Sequence, residues 1–269
     1  MLIRLGYDIQ FEATAEIPIL TLLNVHPSRT KDLREPDQLQ TDPVLNIENY
    51  VDTFGNHGCR LVIPQGRVRF HNSTLIEDSG QPDLQGFDAA EIPIGQLPVD
   101  VLPYLMNSRY CEVDLLFNTA YELFGNAPRG WPLVQAVCRW VHTKVTFGYN
   151  FATPARTALG VYTERVGVCR DFQHLAITFC RALNIPARYA TGYLGDIAVP
   201  YSPDPMDFSA WFEVYLGGRW WTCDARHDAP RIGRVLMATG RDATDCAITT
   251  SFGRAQLMYF KVISDEVRP

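Results

Sequence analysis

The chain has 269 residues, 46% of them hydrophobic, which is enough for a packed core in one large domain or two modest ones. Acidic residues number 30 against 24 Lys and Arg, a formal charge of −6, and the basic side chains are scattered along the chain. That distribution lacks the basic stripe that phosphate backbones require and argues against nucleic acid as a partner. Asp8 and Glu12 fall where a secretory signal needs an unbroken apolar run, and no stretch approaches the length of a membrane span, so a cytoplasmic protein without membrane association is expected.

The first hundred residues alternate in short apolar stretches broken by Gly, Pro and Asn: Leu2 to Phe11, Ile17 to Val25, Asn49 to Phe54, Arg60 to Ile63 and Arg67 to Phe70. This spacing predicts a small antiparallel sandwich, with Phe54 to Gly58 as a hairpin tip because Gly and Asn tolerate positive φ. His57 and Cys59 have the spacing of half a metal site. No second pair follows, and Gly58 fits a turn, so no metal or other cofactor is expected. Seven cysteines (59, 111, 138, 169, 180, 223 and 246) are an odd number without a C-x-x-C pair, which reads as free thiols.

From Leu97 the pattern turns helical. Ser108 is a candidate N-cap for a helix reaching Gly125, and Pro132 suits the first turn of a second helix whose stripe is Leu133, Val134, Val137, Trp140 and Val141. A boundary near residue 100 therefore divides the chain into a β-rich domain over 1–100 and a helix-and-strand domain over 101–269, an α+β protein.

A third helix begins at Cys169. Phe172, Leu175, Ala176, Phe179, Cys180 and Leu183 follow it at the spacing of a half-buried helix, which Asn184 and Pro186 end, and Arg188 to Leu194 reads as a strand. A cysteine in a first helical turn lies beside unpaired N–H groups and the positive end of the macrodipole, which favour thiolate. The same residue also fits as the first member of a core stripe. His174, five residues on, points about 140° away from it and is read as structural.

Ser209 to Leu216 alternates as a strand, Gly217-Gly218 is a two-residue turn, and Arg219 to Cys223 leads into Asp224. A tight turn pairs Leu216 with Arg219 and sets Trp211 opposite Asp224. Ser209, Trp211, Asp224 and Arg226 then share one face. The same parity puts His227 on the opposite face unless the strand has ended or bulged before it. The loop from Gly195 to Asp207 is a candidate wall for a cleft.

At these residues the sequence resembles the transglutaminase-like superfamily, in particular its bacterial members with an N-terminal β-rich domain. The likeness lies in G-V-C-R-D-F at Gly167 to Phe172, R-A-L-N-I-P-A-R-Y after it, A-W-F-E-V-Y-L from Ala210, and W-W-T-C-D-A-R-H from Trp220 to His227. The runs V-D-T-F-G-N at Val51 and S-R-Y-C at Ser108 also fit. The resemblance implies a papain-like core with the nucleophile helix packed on an antiparallel sheet. It also implies acyl transfer from an amide of a peptide or protein, with Cys169 as nucleophile and Asp224 as the acid that orients the base. The family's histidine position holds Ser209, whose hydroxyl has no useful basicity near neutral pH. Two readings follow: a cysteine amidase, protease or acyltransferase whose base is relocated, with His227 the first candidate and Trp211 beside the site, or an inactive module that keeps the cleft to bind peptide.

Overall fold

A computed structural model of the chain describes every residue except Tyr201, Pro203, Asp204, Arg268 and Pro269. Its strands and α-helices run in the order β1 (Leu2–Ala13), β2 (Ile17–Thr21), β3 (Gln40–Asp42), β4 (Glu48–Val51), β5 (His57–Ile63), β6 (Gly66–Glu77), α1 (Val113–Phe124), α2 (Trp131–Lys144), β7 (Thr146–Phe147), α3 (Ala158–Glu164), β8 (Val166–Gly167) and α4 (Cys169–Ala182). After α4 come β9 (Ala187–Tyr193), β10 (Ser209–Leu216), β11 (Arg219–Cys223), β12 (Val235–Gly240), β13 (Thr249–Ser251) and β14 (Ala255–Val267).

The N-terminal strands form two antiparallel sheets, ordered β14-β1-β6-β3 and β13-β2-β5-β4, whose inner faces meet over Ile3, Leu5, Ile9, Ile19, Leu61 and Phe70. Alternation along β1 and β6 supplies that face, because side chains in a strand point to opposite sides in turn. A hairpin tip lies between β4 and β5, earlier than the expected Phe54 to Gly58: Asp52 Oδ1 accepts the N–H groups of Phe54 and Asn56 and Gly55 takes a positive φ of 83°, whereas His57 and Gly58 are already paired in β5 with Val51 and Tyr50. His57 Nε2 and Cys59 Sγ both face the side-chain oxygen of Asn49.

The division at residue 100 describes only the outward path of the chain. At its far end β13 pairs with β2 and β14 runs the length of β1, from Leu2 opposite Val267 to Ala13 opposite Ala255. The last strands thus complete the first sheets. No regular pattern in the C-terminal sequence had pointed to this return.

The second layer is the sheet β11-β10-β9-β12, with α4 packed on one face. Ala210, Phe212, Val214 and Leu216 of β10 face Phe172, Leu175, Ala176 and Phe179 of α4, with α1, α2 and α3 packed around the helix. The burial of α4 exceeds the half-buried expectation: every residue from Asp171 to Ala182 is buried. Its polar residues are therefore interior and hydrogen-bonded, with His174 Nδ1 left without a partner among the described residues. Arg181 gives hydrogen bonds to the carbonyls of Ala187, Met106 and Arg241, and His174 Nε2 accepts the Ala243 N–H at 3.2 Å. Burial holds the His174 pKa down, to about 3, so its ring is neutral and stacks on Tyr110 at 4.9 Å.

α1 starts at Val113, later than its sequence suggests. Ser108 instead exchanges backbone bonds with Cys111 in a turn, and its hydroxyl accepts from Arg181 at 3.2 Å. Ser108 thus helps to satisfy the guanidinium of a residue that is only 2% exposed.

Candidate active site

Cys169 is the first residue of α4, where the chain has just left β8, and Asp171 in the same turn accepts the Val168 N–H at 2.9 Å. This contact fixes the helix start and with it the thiol. Of the seven cysteines, all of them free, Cys169 alone is not fully buried. Burial nonetheless pushes its pKa up to about 11, and the Asp207 carboxylate adds to the rise. Arg226 and backbone groups of Ala210 and Arg170 act in the opposite direction without overcoming it. The thiolate expected from the helix start is thus a resting thiol: desolvation of the anion outweighs the helix-end field.

The β10–β11 hairpin has the anticipated register, with Leu216 opposite Arg219 and Phe212 opposite Cys223, through a turn in which Gly217 and Gly218 both have positive φ (57° and 86°). The ladder stops at Cys223. Asp224 is buried, and its Oδ1 accepts the N–H groups of Arg226 at 2.9 Å and His227 at 3.1 Å, which curls the chain into a turn closed by the Asp228 N–H on the Asp224 carbonyl. Strand parity ceases to apply there. His227 swings back, and its Nδ1 lies 2.8 Å from Asp224 Oδ2.

Three further groups hold the carboxylate. Gln173 Nε2, one helical turn beyond Cys169, donates to Asp224 Oδ1 and to the Ala210 carbonyl, both at 3.1 Å, while its Oε1 accepts the Ala225 N–H. Arg234 donates to Asp224 Oδ2 at 2.7 Å and to Asp83 Oδ2 at 2.8 Å. Burial alone would raise the Asp224 pKa, but Arg234 and His227 beside it hold the carboxyl far below the usual range. An ionised carboxylate can only accept, so the proton of the shared contact sits on His227 Nδ1, and Nε2 is the nitrogen left to take another.

Cys169 and Ser209 both line two adjoining cavities, of about 660 and 500 Å³. His227 and Arg226 line the second of them, so the structure gathers Cys169, Ser209 and His227 around one space, with Asp224 directly behind the imidazole. From the Gly195–Asp207 loop, Asp196, Ser202, Pro205, Met206 and Asp207 line the same cavity; Tyr201, Pro203 and Asp204 lie outside the described residues. Trp211 is placed elsewhere. It is 2% exposed, its ring lies under the Arg234 guanidinium at 5.1 Å, and it faces a separate cavity beside Arg29 and Asp83. It supports the residue that holds Asp224.

Sequence reading did not single out Gln173, Arg234, Asp83 or Asp207. A glutamine on the face of α4 nearest the thiol was a usable signal, since a buried amide needs several partners. Asp83 and Arg234 are brought together only by the fold.

The transglutaminase-like superfamily model matches residues 118–225, a span that contains Cys169, Ser209 and Asp224 and ends two residues before His227. A crystal structure from Cytophaga hutchinsonii, designated a candidate cysteine protease, superposes with a TM-score of 0.85 at 30% identity, covering 100% of this chain and 91% of that one. An uncharacterized protein of Mycobacterium leprae is 24% identical over 249 residues, 90% of this chain and 88% of its own. The periplasmic domain of TgpA from Pseudomonas aeruginosa aligns over 81% of this chain and 75% of its own, at 15% identity with a TM-score of 0.42. The chain belongs to the transglutaminase-like superfamily, with a cysteine-protease-like core and a β-rich N-terminal layer. Among the described residues no helix is long and apolar enough to cross a membrane.

Proposed function

We propose that the protein is a cysteine-dependent acyl-transfer enzyme acting on amide bonds of peptides or proteins, with Cys169 as nucleophile, His227 as the relocated base and Asp224 as its orienting acid. The observation that carries this reading is the 2.8 Å contact from His227 Nδ1 to Asp224 Oδ2, made by a histidine that lines the same cavity as the Cys169 sulfur. Because the resting thiol is protonated, the base has a defined task. As sulfur attacks the carbonyl carbon, the S–H proton passes to His227 Nε2; as the C–N bond breaks, that proton goes to the departing amine. The acyl group then rests on Cys169 as a thioester. Water or an amine attacks it, returning a proton through His227 and freeing the thiol. Ser209 lines the cavity without a proton-shuttling role.

The raised thiol pKa favours a second reading, an inactive cleft that binds peptide with Cys169 unreactive. Incubating the protein with a p-nitrophenyl ester and with a fluorogenic peptide amide separates the two. The first reading expects turnover, a mass increase on Cys169 equal to the acyl group, and loss of both in Cys169→Ala. No acyl adduct and identical background rates in wild type and Cys169→Ala would leave the binding module standing.

A further inference from the structure

The two cavities beside Cys169 differ in chemistry. One is walled by Tyr110, Tyr189, Ala247, Ile248 and Phe260, and only Arg170 and Asp207, the latter shared with the second cavity, bring charge to it among the described residues. Its walls are fixed: Tyr110 stacks on His174 and donates its hydroxyl to the Pro154 carbonyl at 2.8 Å, and Tyr189 is 5% exposed. The other contains His227, Arg226 and Arg231 together with Asp196, Lys261 and Asp265. Volumes of about 660 and 500 Å³ are each of the size that accommodates several side chains.

From this division we infer that the enzyme is selective for an extended polypeptide whose residues on the acyl side of the scissile amide are apolar, and that the apolar limb is their binding site. The inference rests on the catalytic assignment just made, through one step of chemistry. The departing amine must receive its proton from His227, so it leaves into the limb His227 lines, and the acyl group retained on sulfur occupies the other limb. A polypeptide fits better than a compact amide, because β14 ends its sheet as an outer strand and its consecutive residues Lys261, Val262 and Ile263 all line the charged limb. Successive side chains point to opposite faces, so three in a row present the strand's edge, whose main chain can pair with an added strand.

The test uses acetyl-leucyl and acetyl-glutamyl chloromethyl ketones, whose acyl sides must enter the cleft ahead of the chloromethyl carbon that the Cys169 sulfur attacks; the C–S bond forms as the C–Cl bond breaks, with chloride and the thiol proton released to solvent. Expected is alkylation of Cys169 about tenfold or more faster by the leucyl reagent. Thr250→Lys, an exposed position on the apolar limb, is expected to narrow that ratio at least about fivefold. Equal rates, or a glutamyl preference in the wild type, overturn the inference. Ester turnover measured in parallel keeps the two proposals apart. Cys169-dependent turnover with a flat reagent preference sinks the subsite alone, and a strong leucyl preference without turnover sinks the catalytic assignment alone.

Discussion

Asp224 Oδ1 caps the turn that carries His227 while Oδ2 of the same carboxylate faces the His227 ring, so one residue both ends the strand and aims the imidazole. Asp224 therefore has two separable effects, one on backbone shape and one on proton transfer.

Removal of the imidazole isolates the second effect. His227→Ala is expected to lower kcat/KM on amide and ester substrates about 10³-fold while leaving the thermal midpoint almost unchanged, since the ring is partly exposed. Adding Ser209→His to that variant restores a base at the family's position and is expected to recover at least about tenfold. Full activity in His227→Ala would place the base elsewhere.

The thiol is the second test. With its pKa pushed up to about 11, Cys169 should react with iodoacetamide more slowly than free cysteine at pH 7, and the rate should climb steeply as the pH rises toward that value. Removing a carboxylate that raises the pKa must lower it, so Asp207→Asn is expected to speed labelling at pH 8 about threefold or more. Mass spectrometry of the native protein should find one label on Cys169 before any on the six buried cysteines.

Asp224 makes a pH-dependent contribution to stability. Its folded pKa is depressed, so the contribution is fully present above the unfolded value of about 3.9 and is lost as the pH falls below it toward the folded value. Asp224→Asn is expected to cost about 3 kcal/mol at pH 7, because it leaves Arg234 half-paired in the interior. Urea midpoints of wild type and variant should converge below about pH 4. A constant gap down to pH 2 would show that the carboxylate's charge is not what stabilises the fold.

Gln173 links the nucleophile helix to the strand end through three hydrogen bonds. Gln173→Met keeps the bulk and strands the Ala225 N–H and the Ala210 carbonyl, an expected loss of about 2–4 kcal/mol in chemical unfolding. If Gln173 also positions Asp224, the same variant should lose activity at a temperature where circular dichroism finds it fully folded.

The legible parts of this protein were those written in local pattern. The start of α4 at Cys169 follows from helical spacing, and the β10–β11 register follows from two adjacent glycines. His227 was harder because parity holds only while the ladder lasts, and here a side chain, Asp224, ends it through local hydrogen bonds that alternation does not encode. The resting state of the thiol was not legible either. A helix-end field can be read from position, whereas the opposing desolvation depends on what covers Cys169, and Asp207 reaches it from 38 positions away in sequence. Asp83 lies about 150 positions from Arg234, which in turn is ten positions beyond Asp224, so only the folded chain reveals the linkage of Asp83 to the other two.

The return of β14 to β1 also limits how this architecture can be taken apart. A strand of the first sheet supplies a flank of the reaction cleft, and an acid from the segment that follows β6 braces the guanidinium behind Asp224. Neither layer is a transplantable cassette. A fragment beginning at residue 101 would carry the nucleophile but leave β14 with no neighbour to lie against, and any evolutionary or engineered exchange of the β-rich layer would have to rebuild the cleft along with it.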